Sequence, residues 1–274
     1  MDLVLAFLSS LIPALLTYYF LRKRNPGKPG YREDCKKAFV NGMKSTLLVV
    51  PSALVLNIMA GLTGLMDINV FVEQFIKDVI LAALLEEVFK MRAFLKVLKE
   101  SECEYSWLDV TAYMVLAGLG FETLESIVYT LSSGAIQMII RGLTMMHGMF
   151  GLIMGYYYGK GLYTKKKIWI VLSFLLPFLY HGTYDFMLSD EFRDMGDIFS
   201  FVPVILAFLS LVLVFVMIIF FRRNRDAEIY NVSLRPAVEP APFTDMPQEL
   251  PVQVQAQTER ELPGMENPYV KNDK

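Results

Sequence analysis

The chain has 274 residues, of which 54% are hydrophobic, and its mean hydropathy is +0.42. Both values are high for a soluble domain, so they exclude an ordinary water-soluble enzyme as the first interpretation. The formal net charge of −2 carries little information by itself, because the charged residues are sorted along the chain.

Seven segments have the length and apolar character of membrane-spanning helices, which need about 20 mostly apolar residues. They cover roughly 2–21, 38–60, 76–98, 108–131, 135–158, 168–188 and 198–221. The pattern predicts an all-α polytopic membrane protein with about seven transmembrane helices. This helical domain occupies residues 1–225, with a motif-bearing core at about 76–188. Residues 226–274 are rich in Pro, Gln and Glu, which predicts a disordered cytoplasmic tail.

The basic residues indicate how the helices are oriented. Lys and Arg cluster after the first, third, fifth and seventh segments, whereas the alternate connections are poor in them. Cytoplasmic loops carry the excess of Lys and Arg in membrane proteins. We therefore expect the N-terminus outside and the C-terminus in the cytoplasm, as an odd number of crossings requires.

The third segment carries two adjacent carboxylates followed by a lysine, Glu86-Glu87-x-x-Lys90. On a helix Lys90 can reach either acid, because the separations are four and three residues. In a soluble protein this would be a routine surface ion pair. In a membrane a charge at the helix centre costs about 2.5–3.5 kcal/mol on insertion scales, so such residues usually face an internal cavity.

The next three segments also contain ionisable residues. These are Glu122, Glu125, Arg141, His147, His181 and Asp185. Together with the Glu-Glu-Lys group, and leaving out the two histidines, seven chargeable side chains would cost roughly 15–25 kcal/mol if uncompensated, which exceeds the net stability of a typical fold. They must therefore pair or line a wet cavity. Antiparallel neighbours bring them all to the outer half of the bilayer, which predicts one polar site.

The residue types limit the chemistry of this site. It has no cysteine, no motif that would activate a serine, and neither a His-Glu-x-x-His nor a Glu-x-x-His pair. Carboxylates and imidazoles remain, and these can activate a water and stabilise an oxyanion. They can also hold a divalent metal or carry protons and ions across the membrane. The residues alone leave these readings open, together with a scaffold or sensor that works through the tail.

Four motifs in order resemble the PrsW family of intramembrane proteases, relatives of the CAAX prenyl endopeptidases. They are Glu86-Glu87-x-x-Lys90, Gly120-Phe121-x-x-x-Glu125, His147 and His181-x-x-x-Asp185, within about residues 80–188. The CAAX enzymes typically show Glu-Glu-x-x-x-Arg and Phe-x-x-x-His. Here the basic residue comes one place early and Glu125 stands in place of the histidine, which favours PrsW. The family often has Asn where this chain has Ser126.

The resemblance implies an intramembrane endopeptidase that uses a water activated by Glu and His. Glu86 is the favoured base, with Glu87 close behind, because adjacent helical residues point about 100° apart and only one can face the water. The other acid would pair with Lys90 or Arg141. Glu125 would position the water or share a proton with the first acid.

The two histidines complete the expected site. His181 would stabilise the oxyanion or protonate the leaving group, oriented by Asp185 four residues later. His147 would position water or bind a metal. Two aromatic residues, Phe121 and Tyr184, are expected as walls of the site, and Glu122 is expected as a structural partner.

The resemblance also implies cofactors, partners and a location. No cofactor is certain, but a divalent ion such as zinc could be held by Glu86, Glu125, His147 and His181. The expected partners are a single-pass membrane-protein substrate of the anti-sigma-factor kind, cut on its extracytoplasmic side, and membrane lipid; no nucleic acid is expected. The implied location is the bacterial plasma membrane, as a multi-pass protein. An ion- or proton-coupled transporter is the alternative function.

Overall fold

The computed structural model describes residues 3–64, 69–102, 104–129, 139, 142–196 and 199–223. The described part is helical and contains no strand, which confirms the predicted all-α class. The first half of the described chain contains α1 Leu3–Arg22, α2 Tyr31–Leu62, α3 Val70–Phe75, a π-helical segment Ile76–Ala83 and α4 Leu84–Glu100. The second half contains α5 Trp107–Tyr129, α6 Met146–Thr164, α7 Lys167–Leu188 and α8 Asp190–Arg193. A 3-10 turn at Phe199–Phe201 then leads into α9 Val202–Arg223. The predicted tail from residue 226 and Arg141 lie outside the described residues.

Each of the seven predicted segments overlaps a described helix. In the fifth, predicted at 135–158, residues 142–144 are helical and α6 begins at Met146 and ends at Thr164, while most of 135–141 lies outside the described residues. Met145, just before it, has a positive φ of 43°, a left-handed conformation that interrupts a right-handed helix. Apolar composition does not reveal such a break, so the sequence predicted one continuous segment here.

The outer surface of the described helices is apolar. Large hydrophobic side chains on α2 and α9 point outward, among them Leu54, Leu62, Phe208 and Phe215. In water such a surface would be unfavourable by about 25 cal/mol for each Å², whereas lipid tails solvate it. By length and composition alone, two helices, Tyr31–Leu62 and Val204–Arg223, could cross a membrane, and buried or signal helices pass the same test. The count of seven crossings and their direction stay predictions.

Helix α5 is the centre of the packing because small residues let its neighbours approach its backbone. A Cβ atom at Gly118 would clash with the His147 carbonyl of α6, and one at Gly120 would clash with the Phe39 carbonyl of α2. From the other side, Gly151 of α6 leaves no room for a side chain against Met114. The row of glycines in α6 therefore serves close helix packing, as small residues commonly do in membrane bundles.

The connection between α1 and α2 is tied to the start of α5 by buried charges. Asp109 forms salt bridges with Arg24 and with Lys28, the latter at 2.5 Å. It also accepts a hydrogen bond from the Ser106 backbone N–H, while the Ser106 hydroxyl accepts one from the Asp109 N–H. This reciprocal capping satisfies backbone donors at the start of α5. The end of the bundle opposite to the ionisable motifs is thereby held in register.

The contact between α5 and α6 can be tested at Gly118. We expect Gly118→Ala to destabilise the protein by about 1–3 kcal/mol, because the added methyl group meets backbone rather than a movable side chain. Gly61→Ala is the matched control, since no atom lies within 4 Å of its Cβ position and alanine favours the helix. Thermal unfolding in detergent should show a lower Tm for the first variant only. Equal melting of the two variants would contradict the packing argument.

Candidate active site

The adjacent acids Glu86 and Glu87 lie in the first turn of α4, directly after the π-helical segment. Glu87 and Lys90 have no exposed surface, and Glu86 is 8% exposed. The Lys90 Nζ atom is 2.6 Å from Glu87 Oε1 and 3.6 Å from Glu86 Oε2. The helical spacing therefore brings one ammonium group to both carboxylates, and Glu87 takes the closer contact.

The Oε2 atom of Glu86 is buried and has no hydrogen-bond partner. It nevertheless faces three nitrogen atoms at slightly longer range. Lys90 Nζ and His181 Nε2 each lie 3.6 Å away, and His147 Nδ1 lies 3.9 Å away. A buried carboxylate oxygen without a hydrogen bond is costly, so this atom is available to a further ligand.

His147 enters from the first turn of α6 and bridges two helices. Its Nδ1 atom is 2.9 Å from Lys90 Nζ, and its Nε2 atom is 2.6 Å from Glu125 Oε2 on α5. An ammonium group can only donate, so Nδ1 accepts from Lys90 and the ring proton is on Nε2, which donates to Glu125. The imidazole is thereby held in one tautomer.

His181 enters from α7 and also has a carboxylate at each ring nitrogen. Its Nδ1 atom is 2.8 Å from Glu87 Oε1, and its Nε2 atom is 3.0 Å from Asp185 Oδ2. The side chain of Asp185 is 32% exposed, far more than the other acids of the cluster. Asp185 therefore connects the buried groups to the surroundings.

Gly182, the residue after His181, lets α7 approach the π-helical segment. A Cβ atom at this position would come within 2.9 Å of Val79 Cγ1. π-helical turns occur frequently at functional sites, and this one leads directly into the Glu86–Glu87 turn.

Aromatic rings close the sides of the cluster. The Lys90 ammonium lies 4.6 Å from the centre of the Phe121 ring, as a cation–π contact. Phe150 stacks on the His181 ring at 4.6 Å and also contacts His147 edge-on. Phe121 was expected from the sequence as a wall of the site, whereas Phe150 was not. Its position three residues after His147, on the same helix face, is the signal that could have indicated it.

The structure thus brings together all six side chains predicted as catalytic, with Lys90 and Phe121 around them. The six are Glu86, Glu87, Glu125, His147, His181 and Asp185. Glu122 is buried on α5, and Tyr184 is half-buried on α7. Arg141 lies outside the described residues, so its expected pairing stays a prediction, as do the catalytic roles.

Three of these residues have an arrangement that fits a metal ion. Glu86, His147 and His181 each offer a ligand atom, and these atoms lie within 4.8 Å of one another. Each imidazole gives its other nitrogen to a carboxylate, Glu125 or Glu87, which is the support that metal-binding histidines usually have. Glu125, predicted as a further ligand, contacts the nitrogen of His147 that faces away from Glu86. Three protein ligands with an open position are typical of catalytic zinc sites.

An apolar helical bundle with buried carboxylates and imidazoles at its centre defines a membrane protein with a hydrolase-like polar site. The family model described as PrsW family intramembrane metalloprotease matches residues 36–221, more than half of the chain. The chain belongs to this family. The resemblance inferred from the four motifs is confirmed, as is the prediction that the chain is an intramembrane protease.

Several bacterial proteins named Protease PrsW are similar to the chain. The Geobacillus kaustophilus protein is 33% identical over 185 residues, which cover 66% of this chain and 77% of that relative. The Clostridioides difficile protein is 28% identical over 200 residues, 68% of this chain and 80% of that relative. The Oceanobacillus iheyensis protein is 38% identical over 127 residues, but the match spans only 44% of this chain and 56% of that relative. No solved structure matches the chain.

The buried ion pair at Glu87 can be tested by an isosteric change. We expect Glu87→Gln to destabilise the protein by about 3–5 kcal/mol, because Lys90 is left buried without its closest ionised acceptor. Glu100→Gln is the matched control on the same helix. Glu100 is about half exposed and pairs loosely with Lys96, so its loss should cost at most about 1 kcal/mol. Thermal unfolding of both variants in detergent provides the comparison, and a similar loss for both would refute the buried pair.

Proposed function

We propose that this chain hydrolyses a peptide bond of a membrane-anchored protein at the cluster formed by the four acids and two imidazoles named above. One observation carries the proposal. His147 Nδ1 and His181 Nε2 lie 3.9 and 3.6 Å from the Oε2 atom of Glu86, which has no hydrogen bond, and the other nitrogen of each ring contacts a supporting carboxylate. Fixed polar groups therefore surround the Oε2 atom of Glu86, and this arrangement is better suited to hydrolysis than a simple ion pair would be.

A divalent metal such as zinc would be held by Glu86, His147 and His181, and it would supply Lewis acidity toward a water and the scissile carbonyl. Glu125 and Glu87 orient the two imidazoles through the hydrogen bonds at 2.6 and 2.8 Å. Glu86 thus stays the central residue, as the sequence favoured. We assign it the role of ligand rather than base, because its Oε2 atom faces both rings.

Proton transfer then falls to Asp185. Its Oδ2 atom lies 3.0 Å from His181 Nε2, a contact that a metal held by this nitrogen would replace, and about a third of its side chain is exposed. A carboxylate that touches both the cluster and the surroundings can accept a proton from the attacking water and return it to the leaving amine. The aromatic rings of Phe121 and Phe150 exclude water from the opposite side of the cluster.

The direction of the helices suggests the substrate. With the N-terminus outside, the cluster lies in the outer half of the bilayer, so the cut would fall on the extracytoplasmic side. A single-pass membrane protein, such as an anti-sigma factor, presents a peptide bond at that depth. The relatives named above are bacterial, which supports the bacterial plasma membrane as the location and a multi-pass arrangement there.

Proteolysis by purified protein in lipid tests the proposal. The wild type should release a defined fragment from single-pass substrates, including anti-sigma factors, whereas Glu86→Gln and His181→Ala should lose about 10²–10⁴-fold in rate, because each contributes to the reacting centre. Glu100→Gln, remote from the cluster, should cut at the wild-type rate. A chelator should abolish cleavage, and zinc should restore it.

Two results would change the proposal. Cleavage that survives complete removal of metal would return Glu86 to the role of base. A wild type that cuts no substrate, while the Glu86 variant alters only ion or solute flux, would favour the transporter alternative over proteolysis.

A further inference from the structure

Lys90 has surroundings that an ordinary helical ion pair does not have. It has no exposed surface, and its ammonium group touches two kinds of partner at once. Its Nζ atom donates to Glu87 at 2.6 Å and to His147 Nδ1 at 2.9 Å, and it lies 3.6 Å from Glu86 Oε2. Two aromatic faces, those of Phe121 and Phe150, cover the remaining side.

These contacts place the ammonium at groups that a metal ion would need. Glu86 and His147 are two of the three residues that could hold the ion. The His147 nitrogen on the Glu86 side is the one that accepts from Lys90. A lone pair that accepts an ammonium hydrogen bond cannot bind a metal at the same time. Lys90 and an ion therefore exclude each other at His147 Nδ1.

The charges of the cluster explain why a lysine lies where an ion would bind. Four carboxylates, those of Glu86, Glu87, Glu125 and Asp185, surround the imidazoles. When no ion is bound, the ammonium group of Lys90 supplies a permanent positive charge to this cluster. Buried acids without a nearby positive charge are strongly destabilising. The lysine therefore keeps the acids together while no ion is bound.

We propose that Lys90 is an internal substitute for the metal ion. Its ammonium holds His147 and the two adjacent acids in place in the metal-free protein, and it must leave His147 Nδ1 before the ion gains its third ligand. Lys90 is thus a positioning residue that makes the site stable without metal and lowers its metal affinity. This inference rests on the proposed binding of a metal by Glu86, His147 and His181.

Zinc binding to metal-free protein tests the inference, with Lys90→Met as the main variant. Methionine keeps the unbranched shape and most of the length of the side chain and removes its charge. We expect the metal-free variant to have a lower Tm than the wild type. Its zinc affinity, measured by calorimetry, should be about ten- to a hundredfold higher, because binding no longer breaks a charged hydrogen bond. Lys96→Met is the control, since Lys96 is 59% exposed on the same helix; both quantities should stay at wild-type values.

Histidine spectroscopy gives a second readout that is independent of activity. The chain has two histidines, and both belong to the cluster. Nitrogen-15 labelling of histidine, in protein purified without a histidine tag, therefore reports on this site alone. In the metal-free wild type His147 should carry its proton on Nε2, with Nδ1 as an acceptor. The Nδ1 signal should move in Lys90→Met, should move when zinc is added to the wild type, and should not move in Lys96→Met.

The inference is overturned if Lys90→Met binds zinc no more tightly than the wild type, or if zinc moves the His181 signals and leaves His147 Nδ1 unchanged. It also falls if neither protein binds zinc. Should Lys90→Met not fold, the double variant Glu87→Gln/Lys90→Met removes one charge of each sign and carries the same expectation of tighter zinc binding. Zinc and histidine results as expected, with no substrate cut, would refute the proteolysis and leave the role of Lys90 standing.

Discussion

The cost of placing ionised groups in an apolar interior governs this structure. Glu87 and Lys90 have no exposed surface, and either one alone would be far too costly to bury. They are tolerable because they pair with each other at 2.6 Å and because groups on other helices approach them. Glu87 needs His181 of α7, and Lys90 needs His147 of α6. The acids of α4 therefore determine which neighbouring helices contact them and at which point along α4 these contacts occur.

Close backbone packing makes that meeting possible. Imidazole and carboxylate side chains are short, so hydrogen bonds between helices require the helix axes to be near each other. Gly118 lets α5 touch the His147 carbonyl, and Gly182 lets α7 touch the π-helical segment. The glycines and the polar cluster are thus two parts of one arrangement. The glycines shorten the distances between the helices, and these short distances allow the side chains of the cluster to pair their buried charges.

The placement of polar groups is inverted relative to a soluble enzyme, because the outer surface is apolar and an ionisable cluster is buried within a largely apolar core. Large apolar side chains cover the surface of α2 and α9, while carboxylates, imidazoles and an ammonium group lie within. This inversion suits a protein of the PrsW family, whose description as intramembrane metalloproteases requires polar chemistry inside an apolar solvent. The two kinds of surface also explain why the buried charges of the bundle are paired with one another, since lipid offers no partner to a stray charge.

Much of this could be predicted from the sequence, because the determining patterns are local. Long apolar segments predicted the helices, and spacings of three or four residues predicted that Lys90 could reach both acids and that His181 could reach Asp185. The need to compensate buried charge predicted a single cluster. These inferences depend on helix geometry and on the cost of charge in lipid, both of which act within a short stretch of chain.

The tertiary structure decided what depends on the rotation and depth of one helix against another. The left-handed residue Met145 and the π-helical segment shift the phase of the helices that follow them, and apolar composition carries no sign of either. That phase determines whether Lys90 reaches His147 and which nitrogen of each imidazole faces Glu86. It also determines how Phe150 stacks on His181. The sequence by itself determined which groups had to meet, whereas the packing of the helices decided which atoms face each other.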